Sequence, residues 1–270
     1  MKVFFISLFS IIQLNACSEK TINYSEKFSP DMDFAMNYNF NSPKKEWELP
    51  MELDEISGLS YYGKNLLACV NDEEGKIFIY NYKKKKIMKT IVFGNDGDYE
   101  GITYQEPNFY ILKSNGKLSR YNESTKLTEK IKLPFGSKNN IEGLCLENEH
   151  SLLLALKQNA GYYGEKTPFK AIYRYDLINQ KTELAYKIPK KKKLGFSGIA
   201  KNPKTGKVLI ISHRTSEIYQ VDQKTKDVDY VWELKRKLFA QPEGICFAPD
   251  GKLFISNERS DNESATILEF

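Results

Sequence analysis

The sequence predicts an all-β protein built from similar units, and three observations lead to this prediction. Hydrophobic residues make up 41% and aromatic residues 13% of the 270-residue chain, a composition that excludes a disordered chain and favours strands. A five-residue segment with glycine at its fourth position occurs five times along the sequence. Several short segments of alternating hydrophobicity, separated by turn sequences, follow each copy. Such a repeat is typical of a β-propeller.

Each copy of this repeated segment indicates one propeller blade. Its glycine is preceded by Glu or Ser and followed by Ile or Leu, and successive copies lie 43, 42, 55 and 46 residues apart. The sequence after each glycine reads as four short strands, which we label A to D within a blade. We therefore expect five four-stranded blades, with six as the alternative if one copy has diverged. The five glycines are Gly58, Gly101, Gly143, Gly198 and Gly244.

The two ends of the chain predict how the ring closes. After Gly244 there is space for only three strands, the last of them at residues 265–270. Residues 46–49 are similar to residues 231–234, the predicted D strand of the fourth blade, and each segment contains a tryptophan. The N-terminal strand should therefore complete the last blade, which leaves no open sheet edge in the ring.

The N-terminus has the pattern of an export signal. A positively charged start is followed by an apolar run from Val3 to Leu14, which is too short to span a bilayer. Residues 14–17 resemble the lipobox of bacterial lipoproteins, which implies cleavage before Cys17 and acylation of that residue. Ser18 follows, and by analogy with lipoprotein sorting this favours the outer membrane. We expect a signal peptide (1–16), a lipidated N-terminus and tether (17–44) and a propeller domain (45–270).

Charge and cysteine content narrow the classes of partner. The chain has 40 Lys and Arg against 35 Asp and Glu, a net charge of +5 in which lysine dominates the basic residues, so a nucleic-acid partner is not expected. The three cysteines after the anchor occur singly within apolar runs, which predicts small buried side chains and no disulfide framework. They are Cys69, Cys145 and Cys246.

The repeat also carries a resemblance to known families. Residues 55–60, 70–77, 98–102 and 112–118 resemble the corresponding segments of the SdiA-regulated envelope proteins. That resemblance covers roughly residues 45–270 and implies a propeller fold and an envelope location, with no established activity. The Glu-Gly step is also similar to that of calcium-dependent lactonase and gluconolactonase propellers, in which such a glutamate binds the ion at the channel mouth.

The propeller geometry predicts a binding site at one end of the axis. Strand A lines the axis and strand B returns antiparallel to it, so the start of A and the end of B lie at the same end, which we call the mouth. We expect Glu100 beside Lys113, Glu142 beside Lys157, and Glu243 facing only Asn257. Such a convergence of polar groups is typical of a binding site. The expected A-strand residues are Ser57, Glu100, Glu142, Ser197 and Glu243, and the expected B-strand residues are Asn71, Lys113, Lys157, His213 and Asn257.

Metal binding and proton transfer are further hypotheses for the mouth. Ca²⁺ prefers six to eight oxygen ligands, but the neighbouring lysines would compete for the same carboxylates. His213 could act as a general base. Tyr162 and Tyr163, in the long loop of the third blade, could stack on a flat ligand. The candidate oxygen donors for calcium are Glu243, Asn257, Asn71, Asp72, Glu100 and Glu142.

The leading functional hypothesis is therefore a lipid-anchored protein of the cell envelope that binds a ligand or a partner protein at the mouth, without chemistry of its own. The alternative is a calcium-dependent hydrolase, acting on an ester, lactone or phosphate, in which His213 moves the proton. A structural member of an envelope complex is the third hypothesis.

Overall fold

A computed structural model describes residues 38–260 and 263–270 of the chain. Within them, twenty strands form five four-stranded antiparallel sheets, the blades of a β-propeller. Three short 3-10 helices, at Met51–Leu53, Tyr162–Gly164 and His213–Thr215, lie in the connections. The predicted fold class and the count of five blades are confirmed.

Apart from β1, which belongs to blade 5, the strands follow one another through the blades in chain order. Blade 1 contains β2 (Ile56–Gly63), β3 (Leu66–Asn71), β4 (Lys76–Asn81) and β5 (Lys86–Val92). Blade 2 contains β6 (Tyr99–Gln105), β7 (Asn108–Lys113), β8 (Lys117–Asn122) and β9 (Thr128–Lys132). Blade 3 contains β10 (Ile141–Asn148), β11 (Ser151–Leu156), β12 (Phe169–Asp176) and β13 (Lys181–Pro189). Blade 4 contains β14 (Gly198–Lys201), β15 (Val208–Ser212), β16 (Glu217–Val221) and β17 (Val228–Glu233). Blade 5 contains β18 (Pro242–Phe247), β19 (Leu253–Asn257), β20 (Thr266–Glu269) and β1 (Lys45–Glu48).

The N-terminal strand closes the ring. Strand β1 pairs antiparallel with β20, with Lys45 opposite Glu269 and Trp47 opposite Ile267. Trp47 is buried in the hydrophobic core between blades 5 and 1, where its ring lies 5.0 Å from that of Tyr82. The first strand of the domain therefore joins the last blade, as the similarity between its two tryptophan segments predicts.

Hydrophobic cores fill the gaps between neighbouring blades. Five clusters of buried side chains are found in the described residues, and each combines strands of two adjacent blades. Burial of this apolar surface is the main favourable contribution to folding. The blades are consequently held to one another face to face, so the positions of their inner strands around the axis are fixed.

The repeat glycines lie where the inner strands approach one another most closely. A Cβ atom on Gly198 would lie 2.3 Å from the carbonyl oxygen of Glu243 in the next blade. One on Gly58 would lie 2.9 Å from the amide nitrogen of Ile102, again in the next blade. A side chain at these positions would force neighbouring blades apart. This is the physical reason for the glycine in each repeat.

The described part of the predicted tether is packed against the propeller. Phe40 is only 3% exposed, and its ring contacts those of Trp232 and Phe270 at 5.2 and 5.1 Å. The hydroxyl of Tyr38 donates a hydrogen bond to the Gly251 carbonyl at 2.6 Å. The expected boundary at residue 45 is thus too late, because these aromatic side chains belong to the core between blades 4 and 5.

The predictions for the N-terminus concern other parts of the chain. The signal peptide, Cys17 and the tether up to residue 37 lie outside the described residues. Among the residues that are described, no helix has the length and apolar character needed to cross a membrane. The three remaining cysteines are buried and free, as expected, and burial raises the pKa of Cys145 to about 12.

Candidate functional site

A β-bulge at the start of the innermost strand brings polar residues to the axis. In blades 1, 2 and 3 the pairing with strand B is interrupted just before the repeat glycine, so that Ser57, Glu100 and Glu142 are each left without a partner. In blade 5 the interruption includes Glu243. A bulge changes the direction in which a side chain points. Together with Ser197 of blade 4, these residues line one narrow axial cavity.

The two serines link neighbouring blades. The Ser57 hydroxyl donates a hydrogen bond to the Tyr99 carbonyl at 2.6 Å, and the Ser197 hydroxyl donates one to the Pro242 carbonyl at 2.9 Å. Each bond spans the gap to the next blade. At the same repeat position, serine thus supplies a structural contact and glutamate supplies a carboxyl group to the mouth.

Glu142 and Glu243 are held by groups of the B-strand ends. Glu142 is 2% exposed, and its carboxylate lies 2.7 Å from the Lys157 ammonium and accepts a hydrogen bond from the Asn140 amide at 2.6 Å. Glu243 is 4% exposed, and its Oε1 lies 3.4 Å from Nδ1 of His213. The expected pairing of Glu142 with Lys157 is present, and Glu243 faces His213.

Glu100 forms no ion pair with a described cationic side chain. It is half-buried, and no hydrogen bond or ion pair joins its carboxyl group to another described residue. Burial raises the pKa of Glu100 well above its usual range, and the nearby Glu142 and Glu243 raise it further. The protonated form of Glu100 is therefore favoured over a wider pH range than in an exposed glutamate.

The charge of the Lys157 ammonium acts on all three carboxyl groups of the cluster. Burial acts to lower the pKa of Lys157, but Glu243, Glu142 and Glu100 outweigh it and the pKa is raised. The pKa of Glu142 is also raised, by burial and by Glu243, although Lys157 opposes this shift. The inner end of the mouth thus places three carboxyl groups near one amine.

Three of the predicted B-strand residues point away from this cluster. Lys113 lies over the Tyr99 ring, with Nζ 4.3 Å from its centre, and is not beside Glu100. The Asn71 amide bonds to the Glu52 carbonyl and to Glu74. The Asn257 amide donates to the Leu238 carbonyl at 3.1 Å and to Thr266 at 3.0 Å. The expected Glu100–Lys113 and Glu243–Asn257 pairs are therefore wrong.

The hairpin register explains these differences. Asn71, Lys113 and Asn257 are directly opposite the residues at the starts of strands β2, β6 and β18. In blade 3 it is Leu156 that occupies this position, and Lys157 comes one residue later. Side chains alternate between the two faces of a strand, so a difference of one residue reverses their direction. His213 likewise lies two residues after Ile211, the partner of Gly198.

The same register identifies Ser114 and Glu258, two mouth residues that sequence reasoning missed, and gives a B-strand position to Asp72, which was named only as a candidate calcium ligand. The equivalents of Lys157 and His213 in the other blades are Asp72, Ser114 and Glu258, each one residue after the predicted position. Burial, followed by the effect of Glu243, raises the pKa of Glu258 to about 9. Burial and Glu55 raise the pKa of Asp72 to about 6, and its Oδ1 is buried without a hydrogen-bond partner. Alignment on the glycine-paired residue, instead of on the strand end, would have found them.

The two predicted tyrosines differ in their surroundings. Tyr162 belongs to the core, where its ring packs against Phe135 and Tyr173 and its hydroxyl donates to the Thr182 carbonyl at 2.8 Å. It is therefore not free to stack on a ligand, contrary to expectation. Tyr163 is 74% exposed at the rim of the mouth face.

The described side chains fit a calcium ion poorly. Among residues 38–260 and 263–270, no three imidazole, thiol or carboxyl groups come together in an arrangement that could hold a metal ion. Lys157 occupies the carboxylate of Glu142, and the Asn257 amide is engaged elsewhere. Calcium needs several oxygen donors converging on one point.

A wider cavity opens at the opposite end of the axis. It has a volume of about 440 Å³ and is lined by the far ends of the inner strands of all five blades. Glu147 lies in its wall, where it forms an ion pair with Arg174. No sequence motif marks this cavity, because its lining comes from the less regular ends of the repeats.

Comparison with known proteins places the chain in a family. A protein-family model described as SdiA-regulated matches residues 35–261. The chain belongs to the SdiA-regulated family. The resemblance noted in the repeat segments is thereby confirmed, and the match begins near the packed residues Tyr38 and Phe40. No curated protein matches this SdiA-regulated protein.

Solved structures share its fold. The glutaminyl cyclase of Myxococcus xanthus has a TM-score of 0.62 at 13% identity, covering 85% of this chain and 95% of the cyclase. A protein of unknown function from Bacteroides thetaiotaomicron has a TM-score of 0.55 at 14% identity, covering 79% of this chain and 55% of the other. A streptogramin B lyase has a TM-score of 0.51 at 10% identity, covering 83% and 96%. At these identities the similarity shows the propeller fold alone.

The raised pKa of Glu100 predicts a specific pH dependence of stability. A carboxyl group with a higher pKa in the folded than in the unfolded protein stabilises the fold when protonated; this contribution is complete below the unfolded pKa and is lost as pH rises through the folded pKa. Glu100→Gln should therefore be nearly neutral at pH 5. At pH 8 it should increase the free energy of unfolding, by about 1.4 kcal/mol for each pH unit by which the folded pKa exceeds the unfolded pKa up to that pH.

Urea unfolding of wild type and variant at the two pH values measures this effect. Glu233→Gln, at an exposed carboxylate, is the matched control and should change stability equally little at both. An identical pH dependence in wild type and Glu100→Gln would show that Glu100 is ionised at neutral pH.

Proposed function

We propose that this SdiA-regulated protein is a lipid-anchored protein of the bacterial cell envelope that binds a ligand at the mouth of its propeller. The ligand presents an ammonium group, either as a small molecule or as an exposed amine of an envelope protein. The observation that carries the proposal is the half-buried Glu100 carboxyl, which has no cationic partner among the described residues.

The charge balance of the mouth supports a cationic ligand. Five carboxyl groups surround Lys157, His213 and the nearby Arg214. A buried carboxyl without a compensating charge is unfavourable when ionised. A ligand ammonium beside Glu100 would supply that charge and allow the carboxyl to ionise. The carboxyl groups are those of Glu100, Glu142, Glu243, Asp72 and Glu258.

Exposure limits which side chains touch the ligand. Glu142 and Glu243 are nearly fully buried, so they act through their charge and not by direct contact. Glu100 is half-buried, and the His213 and Lys157 side chains are 28% and 17% exposed. A ligand at the mouth would therefore meet Glu100, Lys157 and His213, and Tyr163 lies on the surrounding rim.

A hydrolase is the second candidate, and the contact between His213 and Glu243 favours it. A carboxylate next to an imidazole can orient it and stabilise its protonated form. The calcium ion that the lactonase resemblance implies is poorly matched by the described residues. An esterase, lactonase and phosphatase panel with and without chelator separates the two functions. Hydrolysis by the wild type that disappears in Glu243→Gln would contradict the proposal that the protein only binds its ligand.

Ligand binding is tested with butylamine and its uncharged analogue butanol. Butylamine should bind and butanol should not, because only the amine supplies a charge to Glu100. Calorimetry at pH 7 in two buffers of different protonation enthalpy should show release of up to about one proton as Glu100 ionises. Glu100→Gln should weaken amine binding by about tenfold or more and abolish the proton release, since a charged hydrogen-bonded pair contributes about 1.5 to 3 kcal/mol.

Glu233→Gln serves as the control that removes an exposed carboxylate elsewhere. Equal binding of butylamine and butanol, or an unchanged affinity in Glu100→Gln, would contradict a cation site at the mouth.

The lipid anchor has its own test. Labelled palmitate should be incorporated into the wild-type protein, which should fractionate with the membrane. Cys17→Ser should lose both the label and the membrane association, because the acyl chains hold the protein at the bilayer. Cys69→Ser, at a buried cysteine, should keep both. Palmitate label that persists in Cys17→Ser would contradict the proposed lipid anchor at Cys17.

A further inference from the structure

A second pocket lies on the mouth face, between blades 1 and 2. It has a volume of about 490 Å³. Its chemistry is the opposite of that at the axis, since amines replace carboxyls. We call it the basic pocket; its principal lining residues are Phe93, Tyr99, Lys113, Lys117, Lys130 and Lys132.

Strand pairing brings the four lysines together. Lys117 lies directly opposite Lys132 in the pairing of β8 with β9, and Lys130 is two residues before Lys132 on the same face. Lys113 ends β7 and joins this group across the turn that contains Gly116. Like charges on directly opposite residues destabilise a sheet. The fold thus brings positive charges together here, although their repulsion lowers its stability.

These lysines have no carboxylate partner. No salt bridge within residues 38–260 and 263–270 includes any of the four, whereas Lys76, Lys89, Lys157 and Lys207 are all paired. Lys113 donates to the Asp96 carbonyl at 3.3 Å, and Lys130 donates to the Ser119 hydroxyl at 3.0 Å. Burial lowers the pKa of both Lys113 and Lys130, and neighbouring lysines lower it further.

Aromatic rings form the floor of the pocket. Phe93 and Tyr99 pack edge to face, with centres 5.0 Å apart. The Lys113 ammonium lies 4.3 Å from the centre of Tyr99, and that of Lys130 lies 5.8 Å from the centre of Phe93. Rings within about 6 Å attract an ammonium group and so position it. The space next to them stays open because residue 94 is glycine; a Cβ there would lie 3.4 Å from the Lys130 ammonium and 3.0 Å from the Tyr99 hydroxyl.

We propose that the basic pocket binds a phosphate monoester, with the phosphate held by the lysines and its organic part lying against the apolar lining that includes Ile131. A phosphate monoester carries a charge of about −1.5 to −2 near neutral pH and offers three acceptor oxygens. Lysine is a common ligand for such groups. The pocket is separate from the axial cavity, so a negative result for one of the two binding sites does not contradict the other.

Calorimetry with phenyl phosphate, inorganic phosphate and phenol tests the proposal. Phenyl phosphate should bind most tightly, inorganic phosphate more weakly and phenol not measurably. Combining Lys113→Gln with Lys130→Gln should weaken phenyl phosphate binding by at least about tenfold, since each charged hydrogen bond contributes about 1.5 to 3 kcal/mol. Affinity should also fall as NaCl is increased.

Two further variants keep the test specific. Replacing both Lys64 and Lys226 by Gln removes the same charge from turns outside the pocket and should leave binding unchanged. Gly94→Val keeps every charge but fills the pocket, and should weaken phenyl phosphate more than inorganic phosphate. No binding of phenyl phosphate, or equal losses in the two double variants, would overturn the proposal.

Vesicles distinguish the source of the phosphate. Cys17→Ser protein, which lacks the proposed anchor, is mixed with vesicles of phosphatidylcholine with or without phosphatidic acid. Sedimentation only with phosphatidic acid, lost in the Lys113 and Lys130 double variant, supports the site with a lipid headgroup as its ligand. Phenyl phosphate binding without sedimentation supports it with a soluble phosphate monoester.

Discussion

The close approach of five inner strands around one axis is the constraint on which the rest of the structure depends. No side chain fits at the repeat glycines, because a Cβ at Gly198 or Gly101 would meet the next blade within 3 Å. Hydrophobic cores between the blades hold the strands at this separation. The bulge beside the glycine then leaves the preceding residue facing the axis. One backbone feature, repeated around the ring, thus selects both the glycine and the position of the polar group before it.

The chemistry of the mouth follows from which residue occupies that position. Where it is serine, as at Ser57 and Ser197, the hydroxyl bonds to the next blade and the contact is structural. Where it is glutamate, a carboxyl group is buried beside others of like charge, and at Glu100 and Glu142 burial and the neighbouring carboxyls raise the pKa. Lys157 compensates part of this charge, and the favourable free energy of packing between the blades offsets the remaining cost of burying it. Burial and crowding, not an unusual residue type, therefore give the cluster its properties.

The sequence predicts features that depend on the repeat, and it is less informative where side-chain direction matters. Blade number and ring closure could be predicted because glycine spacing and the two tryptophan segments reflect the architecture directly. The direction of Lys113 could not, because it depends on a one-residue difference in hairpin register relative to Lys157. Tyr162 was predicted at the rim but is partly buried and packs against Phe135 and Tyr173, contacts that the loop sequence does not indicate. The basic pocket has no motif, since pairing of β8 with β9 assembles it.

Carbon-13 NMR titration of the glutamate side-chain carboxyls tests the central claim most directly, that the inner strands bring distant glutamates together around one axis. Glu100 should titrate well above the ordinary glutamate value of about 4.3. Its titration should shift downward in Glu243→Gln, a substitution in a blade that is not adjacent in the ring, because a neighbouring negative charge is removed. A Glu100 titration near the ordinary value that is unchanged in Glu243→Gln would show that the two carboxyls do not share a site.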